Sequence, residues 1–202
     1  RKKYNNKIRF VFMKKVIIFG GKGNGTVLAS MIEDINEEEK KWDLLGFIND
    51  GKEKKINDYP VLGKISENLH INHLKYNDVY FIWTLFSNKL KDSAYKKLVS
   101  LNIPLEKFAT IVHHKANVPK KTVLGNGVSI HAFANISAKV KIGNHVQIFA
   151  NTTVGHDSNV GDCSFISMGS SVGSGVNIEK GSFLGINSSI RENLKIGEWS
   201  TV

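Results

Sequence analysis

The stretch Val154-Gly-His-Asp-Ser-Asn-Val160-Gly-Asp-Cys-Ser-Phe-Ile166-Ser-Met-Gly-Ser-Ser-Val172 places an aliphatic side chain at every sixth residue. The count runs on without a break in both directions. Upstream it takes in Ile148, Ile142, Ile136, Ile130, Leu124 and Val118, and downstream Ile178, Leu184, Ile190, Ile196 and Val202. Val, Ile and Leu make up 52 of 202 residues, so fifteen consecutive hits in one register have a chance probability on the order of 10⁻⁹. Two residues before each aliphatic position stands a small or β-branched residue, such as Thr152, Ser158, Ser164 and Ser170, with Leu194 as the exception. Gly follows the aliphatic position at 125, 143, 155, 161, 173, 185 and 197, where a chain turning a corner meets the least steric cost. The pattern is that of a parallel β-helix of hexapeptide repeats, each short strand burying one aliphatic side chain in a prism. A sandwich of short strands would not hold a six-residue count through its loops.

Upstream of this array the periodicity is different. Lys14-Lys-Val-Ile-Ile-Phe-Gly20 reads as a strand ending in the glycine turn Gly20-Gly-Lys-Gly-Asn-Gly25, and Val27, Leu28, Met31, Ile32 and Ile35 follow at helical spacing. Leu44-Leu-Gly-Phe-Ile48 before Asn49-Asp50-Gly51 reads as a second strand, Val79 to Leu85 as a third, and Lys89 to Leu101 as an amphipathic helix. Alternating strand and helix implies a parallel sheet. The expected organisation is a basic extension over residues 1–12, disordered and upstream of a start at Met13, an α/β domain over 13–110 with a small Rossmann-like parallel sheet, and the β-helix over 111–202.

The net charge of +10 would by itself invite a nucleic-acid reading, but residues 1–15 hold seven of the cations and no acid, leaving +3 on the rest. The body is nearly balanced, so neither nucleic-acid binding nor membrane insertion is expected. The lone Cys163 excludes a disulfide-stapled secreted scaffold and fits a reducing cytoplasm. The longest apolar runs, such as Tyr80 to Phe86, fall far short of the roughly 18 residues a bilayer requires.

A glycine-turn α/β domain joined through Thr110-Ile-Val-His-His114 to unbroken hexapeptide repeats, with Gly155-His156-Asp157 and Phe183-Leu-Gly-Ile-Asn-Ser188 among them, resembles the sugar acetyltransferases of the sialic acid and amino-sugar-nucleotide type. The bacillosamine and perosamine N-acetyltransferases are members. The resemblance runs from about Met13 to Val202. It implies a left-handed β-helix with 18 residues per coil, a homotrimer with active sites between neighbouring prisms, acetyl-CoA as co-substrate along the coils, and a sugar nucleotide held by the N-terminal domain. No permanently bound cofactor is expected.

Carried over residue by residue, the resemblance puts His156 on the catalytic base and Asp157 on the carboxylate that raises its basicity. A neutral imidazole can take the proton that an attacking amine or hydroxyl must shed, and a neighbouring carboxylate steadies the imidazolium. Phe165, Gly173, Gly185 and Ile186 fall on positions lining the acetyl-CoA groove. Lys22, Gly23 and Asn24 at the glycine turn, with Asn49 and Asp50 after the second strand, fall on the acceptor site. The turn lacks a clean Gly-x-Gly-x-x-Gly, because Thr26 stands at the third place from Gly21, so a dinucleotide is not supported. Backbone N–H groups at a helix start still suit a pyrophosphate.

Four places depart from the family pattern, one of them Asn49, an amide where the first of an acidic pair is expected. Phe165 replaces a second histidine nine residues after the first. Either a backbone N–H then polarises the thioester alone, or the acyl pocket differs, or the ring packs at a subunit seam. Asn24 stands where histidine is common. Phe86-Ser87-Asn88 replaces Gly-Asn-Asn, and Phe86 is expected to crowd the site that glycine leaves open. These changes keep two rival functions in view, a related acyltransferase with another acyl donor or a non-nucleotide sugar, and a sugar-nucleotide-binding scaffold without turnover. Family members also continue beyond the position of Val202 for another coil and a cap. His145 and Cys163, one 18-residue coil apart, are two donors and too few for zinc. His113 and His114 read as packing at the domain junction, His131 pairs with neither His145 nor His156, His70 and His73 carry no motif, and no metal is expected.

Overall fold

The computed structural model describes residues 12–66, 78–87, 89 and 91–202. The extension before Phe12, His70, His73 and Asn88 lie outside the described residues. The chain opens with β1 (Lys14–Phe19), α1 (Asn24–Glu38) and β2 (Trp42–Ile48), in agreement with the strand, turn and helix read from the sequence. Leu28, Ala29, Met31, Ile32 and Ile35 form the buried stripe of α1, the spacing that puts side chains on one face. At its end the Asn36 side chain accepts the N–H groups of Lys41 and Trp42 and donates to the Trp42 carbonyl at 2.6 Å, which steers the chain into β2.

Two elements were not anticipated, β3 (Lys55–Ile56) and β4 (Tyr59–Gly63), a hairpin at the sheet edge. With β5 (Val79–Trp83) they complete a five-stranded sheet of order β3-β4-β2-β1-β5, parallel except for the β3–β4 pair. Helix α2 (Lys91–Ser100) follows. The chain moves from β1 to one side of the sheet and returns to the other, so β1 and β5 flank a switch point whose crevice lies beyond their carboxyl ends.

From Ile111 onward two-residue strands stack in parallel with partners 18 residues apart, for example Gln147 against Phe165 and Thr153 against Ser171. This is a left-handed β-helix with three faces. The first face holds Ile111–Val112, Ser129–Ile130, Gln147–Ile148, Phe165–Ile166 and Phe183–Leu184. The second holds Asn135–Ile136, Thr153–Val154, Ser171–Val172 and Ser189–Ile190. The third holds Val123–Leu124, Lys141–Ile142, Asn159–Val160, Asn177–Ile178 and Lys195–Ile196. The every-sixth residues from Ile130 to Ile190 fill one continuous core. Serines inside the corners are satisfied coil to coil. Ser158 donates to the Gly173 carbonyl at 3.0 Å, Ser164 to Glu179 at 3.1 Å and Ser170 to Gly185 at 2.8 Å.

The corner glycines act differently from the expectation. Gly125, Gly143, Gly155, Gly161 and Gly173 are not left-handed. A side chain there would meet the backbone of the next coil, at 2.5 Å from the Gly173 carbonyl carbon in the case of Gly155. The left-handed residue stands two positions later and is often not glycine, as at Phe133, Lys139, His145, Asp157, Cys163 and Trp199. Its N–H is spent on the previous coil, His145 on the Asn126 carbonyl, Asp157 on Ala138 and Cys163 on Asn144. Those bonds hold residues in a conformation that costs roughly 1–2 kcal/mol each in isolation.

The α/β part sits on the first face of the prism. Buried Gln147 donates to the Trp83 carbonyl at 3.0 Å, and Trp83, Phe86, Phe149 and Phe165 share one apolar cluster. His113 closes the other side, its Nε2 on Asp34 of α1 at 2.5 Å and its Nδ1 receiving the Lys115 N–H at 3.0 Å. Among the described residues no helix is long and apolar enough to cross a membrane.

Candidate active site

His156 and Asp157 stand at the corner between the second and third faces. The helix geometry itself builds the pair. The left-handed φ of +58° at Asp157 accompanies a 2.7 Å contact between its Oδ2 and His156 Nδ1. That bond assigns the Nδ1 proton to the carboxylate side and leaves Nε2 free as a base. It also holds the Asp157 carboxyl below its ordinary range, helped by Lys139 Nζ at 3.7 Å from Oδ1. Both side chains are more than half or half exposed, 59 and 50 %.

Gly173 lines the same open groove of about 570 Å³, with Ser174, Gly175, Glu192 and Asn193. These last four were missed in the sequence. The signal was present, because adding 18 to 156 and 157 gives 174 and 175, and again 192 and 193. The chain also brings together the residues expected at the acceptor site. At the carboxyl ends of β1 and β2, the Asn49 amide lies so close to Gly21 that a side chain there would meet it at 2.7 Å. Gly23 has φ +86° and caps α1 without a side-chain bond, leaving that helix start open. Asn24 donates to the Phe86 carbonyl at 3.3 Å, and Lys22 pairs with Glu53 at 2.9 Å.

Asn49 and Asp50 open onto a cavity of about 220 Å³ with Ile65, Leu85, Ser93, Ala94 and Lys97. Partial burial works to raise the Asp50 carboxyl, but hydrogen bonds from Lys97 Nζ at 2.7 Å and the Ser66 N–H at 2.7 Å outweigh it and hold it below the usual range. Lys97 had no sequence signal, because only the packing of α2 brings it there.

Two expectations are corrected. Phe86 does not crowd the crevice. It is 1 % exposed and packs edge-on against Trp83 at 6.4 Å, leaving its carbonyl at the site. Nor does Phe165 line the His156 groove of its own chain. It projects from the first face and is stacked between Phe149 and Phe183, at 4.7 and 4.8 Å, under the α/β part. Gly185 and the exposed Ile186 stand on the corner between the first and second faces, a full face away from His156.

Among the described residues, His113, His131 and His145 are engaged elsewhere. Burial pushes His131 and His145 down to about 4 and the Cys163 thiol up to about 12, so all three are neutral at pH 7. Among the described residues Asp34, His113 and His114 form a group of three potential metal donors. Lys115 N–H, however, points at His113 Nδ1, so the proton sits on Nε2 and bonds Asp34. Ligation through Nε2 would shift the single ring proton to Nδ1, where it would face the Lys115 N–H donor to donor.

Residues 15–98 match the model of the PglD N-terminal domain and residues 107–201 that of the GMPPB C-terminal domain. Among solved structures, WeeI from Acinetobacter baumannii AYE aligns with a TM-score of 0.66 at 15 % identity, covering 91 % of this chain and 97 % of that one. A mutant perosamine N-acetyltransferase from Caulobacter crescentus, in complex with CoA and GDP-perosamine, aligns at 0.52 with 20 % identity, covering 93 and 90 %. The acetyltransferase domain of PglB from Neisseria gonorrhoeae FA1090, in complex with acetyl coenzyme A, aligns at 0.50 with 19 % identity, covering 91 and 96 %. Among curated proteins no sequence matches the chain. The fold is therefore a PglD-type α/β domain followed by a hexapeptide β-helix. Residues 15–98 thus carry a PglD-type N-terminal domain, and the chain as a whole has the fold of these solved hexapeptide-repeat proteins.

Proposed function

We propose that the protein transfers an acetyl group from acetyl-CoA to an amine or hydroxyl of a nucleotide-linked sugar, in a cytoplasmic homotrimer, with His156 as general base. The observation that carries this reading is the 2.7 Å bond between His156 Nδ1 and Asp157 Oδ2 beside an open groove. Nε2 removes the proton of the acceptor as its lone pair attacks the thioester carbonyl carbon. The tetrahedral oxyanion then collapses, the carbon–sulfur bond breaks, and the proton on His156 passes to the departing CoA thiolate. Asp157 stabilises the imidazolium between these steps.

The donor would lie along Gly173 and, from a neighbouring copy, the edge carrying Gly185 and Ile186. The two edges of one prism are separated by its whole second face, which supports a site shared between copies. Phe165, buried under its own α/β part, is withdrawn from such a shared site and leaves its acyl end to the corner residues. The acceptor would occupy the crevice of Lys22, Gly23, Asn24, Asn49 and Asp50, its pyrophosphate on the open N-terminus of α1. The neighbours solved with acetyl coenzyme A and with CoA and GDP-perosamine support these ligand classes.

Calorimetry with acetyl-CoA and with UDP-, GDP-, dTDP- and CMP-linked amino sugars tests the reading. Saturable binding of acetyl-CoA and of one sugar nucleotide is expected. Binding of a nucleotide without acetyl-CoA would replace the enzyme with a binding scaffold. Tighter binding of a longer acyl-CoA than of acetyl-CoA would move the donor class.

A further inference from the structure

A second cavity, of about 280 Å³, lies away from both parts of the proposed active site, where α2 and the loop after it meet the corner between the third and first faces. One wall is apolar, from Leu98, Val99, Ile103, Leu105 and Phe108, and the opposite wall is polar, from Asn144, Asp162 and Lys180. Val99 and Leu105 are 58 and 40 % exposed, so the cavity opens to solvent on its apolar side.

The polar groups are arranged with spare capacity. Lys180 Nζ donates one hydrogen to the Tyr95 hydroxyl at 2.7 Å and lies 3.9 Å from the centre of that ring. An ammonium has three donors, so two remain. Among the described residues Asp162 Oδ1 takes the Asn144 N–H at 2.7 Å and its side-chain amide at 3.3 Å, while Oδ2 has only that amide, at 3.4 Å. Buried His145 lines the cavity with its Nδ1 unpartnered and turned toward Gly127, and its ring packs edge-on against Phe108 at 4.5 Å. A sealed N–H costs more than a sealed lone pair, which favours the proton on Nε2, the nitrogen left for the cavity side. The Asn102 amide stands exposed at the rim.

Donors and acceptors are thus interleaved, and one positive and one negative side chain balance each other. A carboxylate or phosphate would gain Lys180 and lose against Asp162, and an amine would do the reverse. A ring bearing several hydroxyls meets both, since each hydroxyl donates and accepts, and its C–H face suits the wall of Leu98, Val99 and Phe108. The volume is at the lower end for ligand pockets and suits one ring. We propose that this interdomain cavity is a binding site for an uncharged, unphosphorylated pyranose, distinct from the acceptor crevice. Bridging α2 and the β-helix, a sugar there would tie the two parts of the chain together.

The test is saturation-transfer NMR titration of the full chain with glucose, galactose and N-acetylglucosamine, with glucuronate and glucosamine as charged counterparts. At least one neutral sugar should bind saturably and at least fivefold more tightly than its charged counterpart. Val99→Trp, which fills the cavity from an exposed position, and Lys180→Met should each weaken binding at least tenfold, while the affinity for acetyl-CoA or a sugar nucleotide stays within twofold. Circular dichroism confirms folding of each variant, and Asn102→Ala, exposed at the rim, serves if one fails to fold. No saturable binding by any neutral sugar would overturn the proposal. So would preference for a charged one, indifference to the cavity variants, or displacement by a sugar nucleotide. The last result would place the sugar in the acceptor crevice and leave the transferase reading intact.

Discussion

His145 and His156 occupy neighbouring corners of one prism, eleven residues apart, and differ in almost every property that matters for chemistry. His145 is covered by Phe108, has an unpartnered Nδ1, and is held neutral by burial, its pKa lowered to about 4. His156 stands open beside a carboxylate that binds its Nδ1. The repeat supplies the same stack of corners to both. What packs over the corner decides whether the imidazole becomes a spacer or a base, and in this chain the α/β part covers one edge and leaves the other free.

The contrast can be broken most directly at its open side. Changing His156 to Ala should lower turnover by about 10²–10⁴-fold with the melting temperature nearly unchanged, which steady-state thiol release and calorimetry would measure together. Stability lies instead in the shared core. Ile148→Ala, at a site with no exposure, should cost about 2–5 kcal/mol in denaturant unfolding. Corner glycines sharpen the point, because Gly161→Ala would put a methyl 2.6 Å from the Lys180 backbone nitrogen, whereas at Gly197 the nearest atom is the Ser200 hydroxyl at 3.5 Å. The first should cost about 1–3 kcal/mol and the second a few tenths; equal losses would mean that coil spacing does not set the glycine requirement.

Acid probes the covered side. Unfolded histidine takes a proton near 6.5, whereas folded His145 and His131 resist it down to about 4. The unfolded state therefore binds more protons in that window, and stability falls as pH drops from about 6.5 toward 4, by up to about 1.4 kcal/mol per pH unit for each histidine. His145→Asn, compatible with the left-handed backbone at that corner, should remove one histidine's share of that slope in urea midpoints measured between pH 7 and 5. An unchanged slope would show that burial of His145 is not what excludes the proton. The smallest effect is expected at Ser164→Ala, about 1 kcal/mol for one corner hydrogen bond.

The β-helix was legible because one residue class at one spacing specifies it, and every coil repeats the statement. The edge hairpin Lys55–Ile56 and Tyr59–Gly63 was not, since its strands are short and Pro60 argues against a strand except at an edge. In the site, the Gly155-His156-Asp157 tripeptide is local and could be read directly. Lys97 beside Asp50, the inward turn of Phe86 and the covering of Phe165 depend on how α2 and the sheet sit on the prism. No periodicity encodes that placement. The mispredicted role of the corner glycines has the same origin, because contact between coils is invisible until the coils are stacked.

Thiol release from acetyl-CoA by the intact protein, across UDP-, GDP-, dTDP- and CMP-linked amino sugars, tests the central claim most directly. Release with one acceptor, yielding the acetylated sugar nucleotide and lost in His156→Ala, is the predicted result. Turnover that persists in that variant, or no release with any acceptor although acetyl-CoA and a sugar nucleotide both bind, would contradict it.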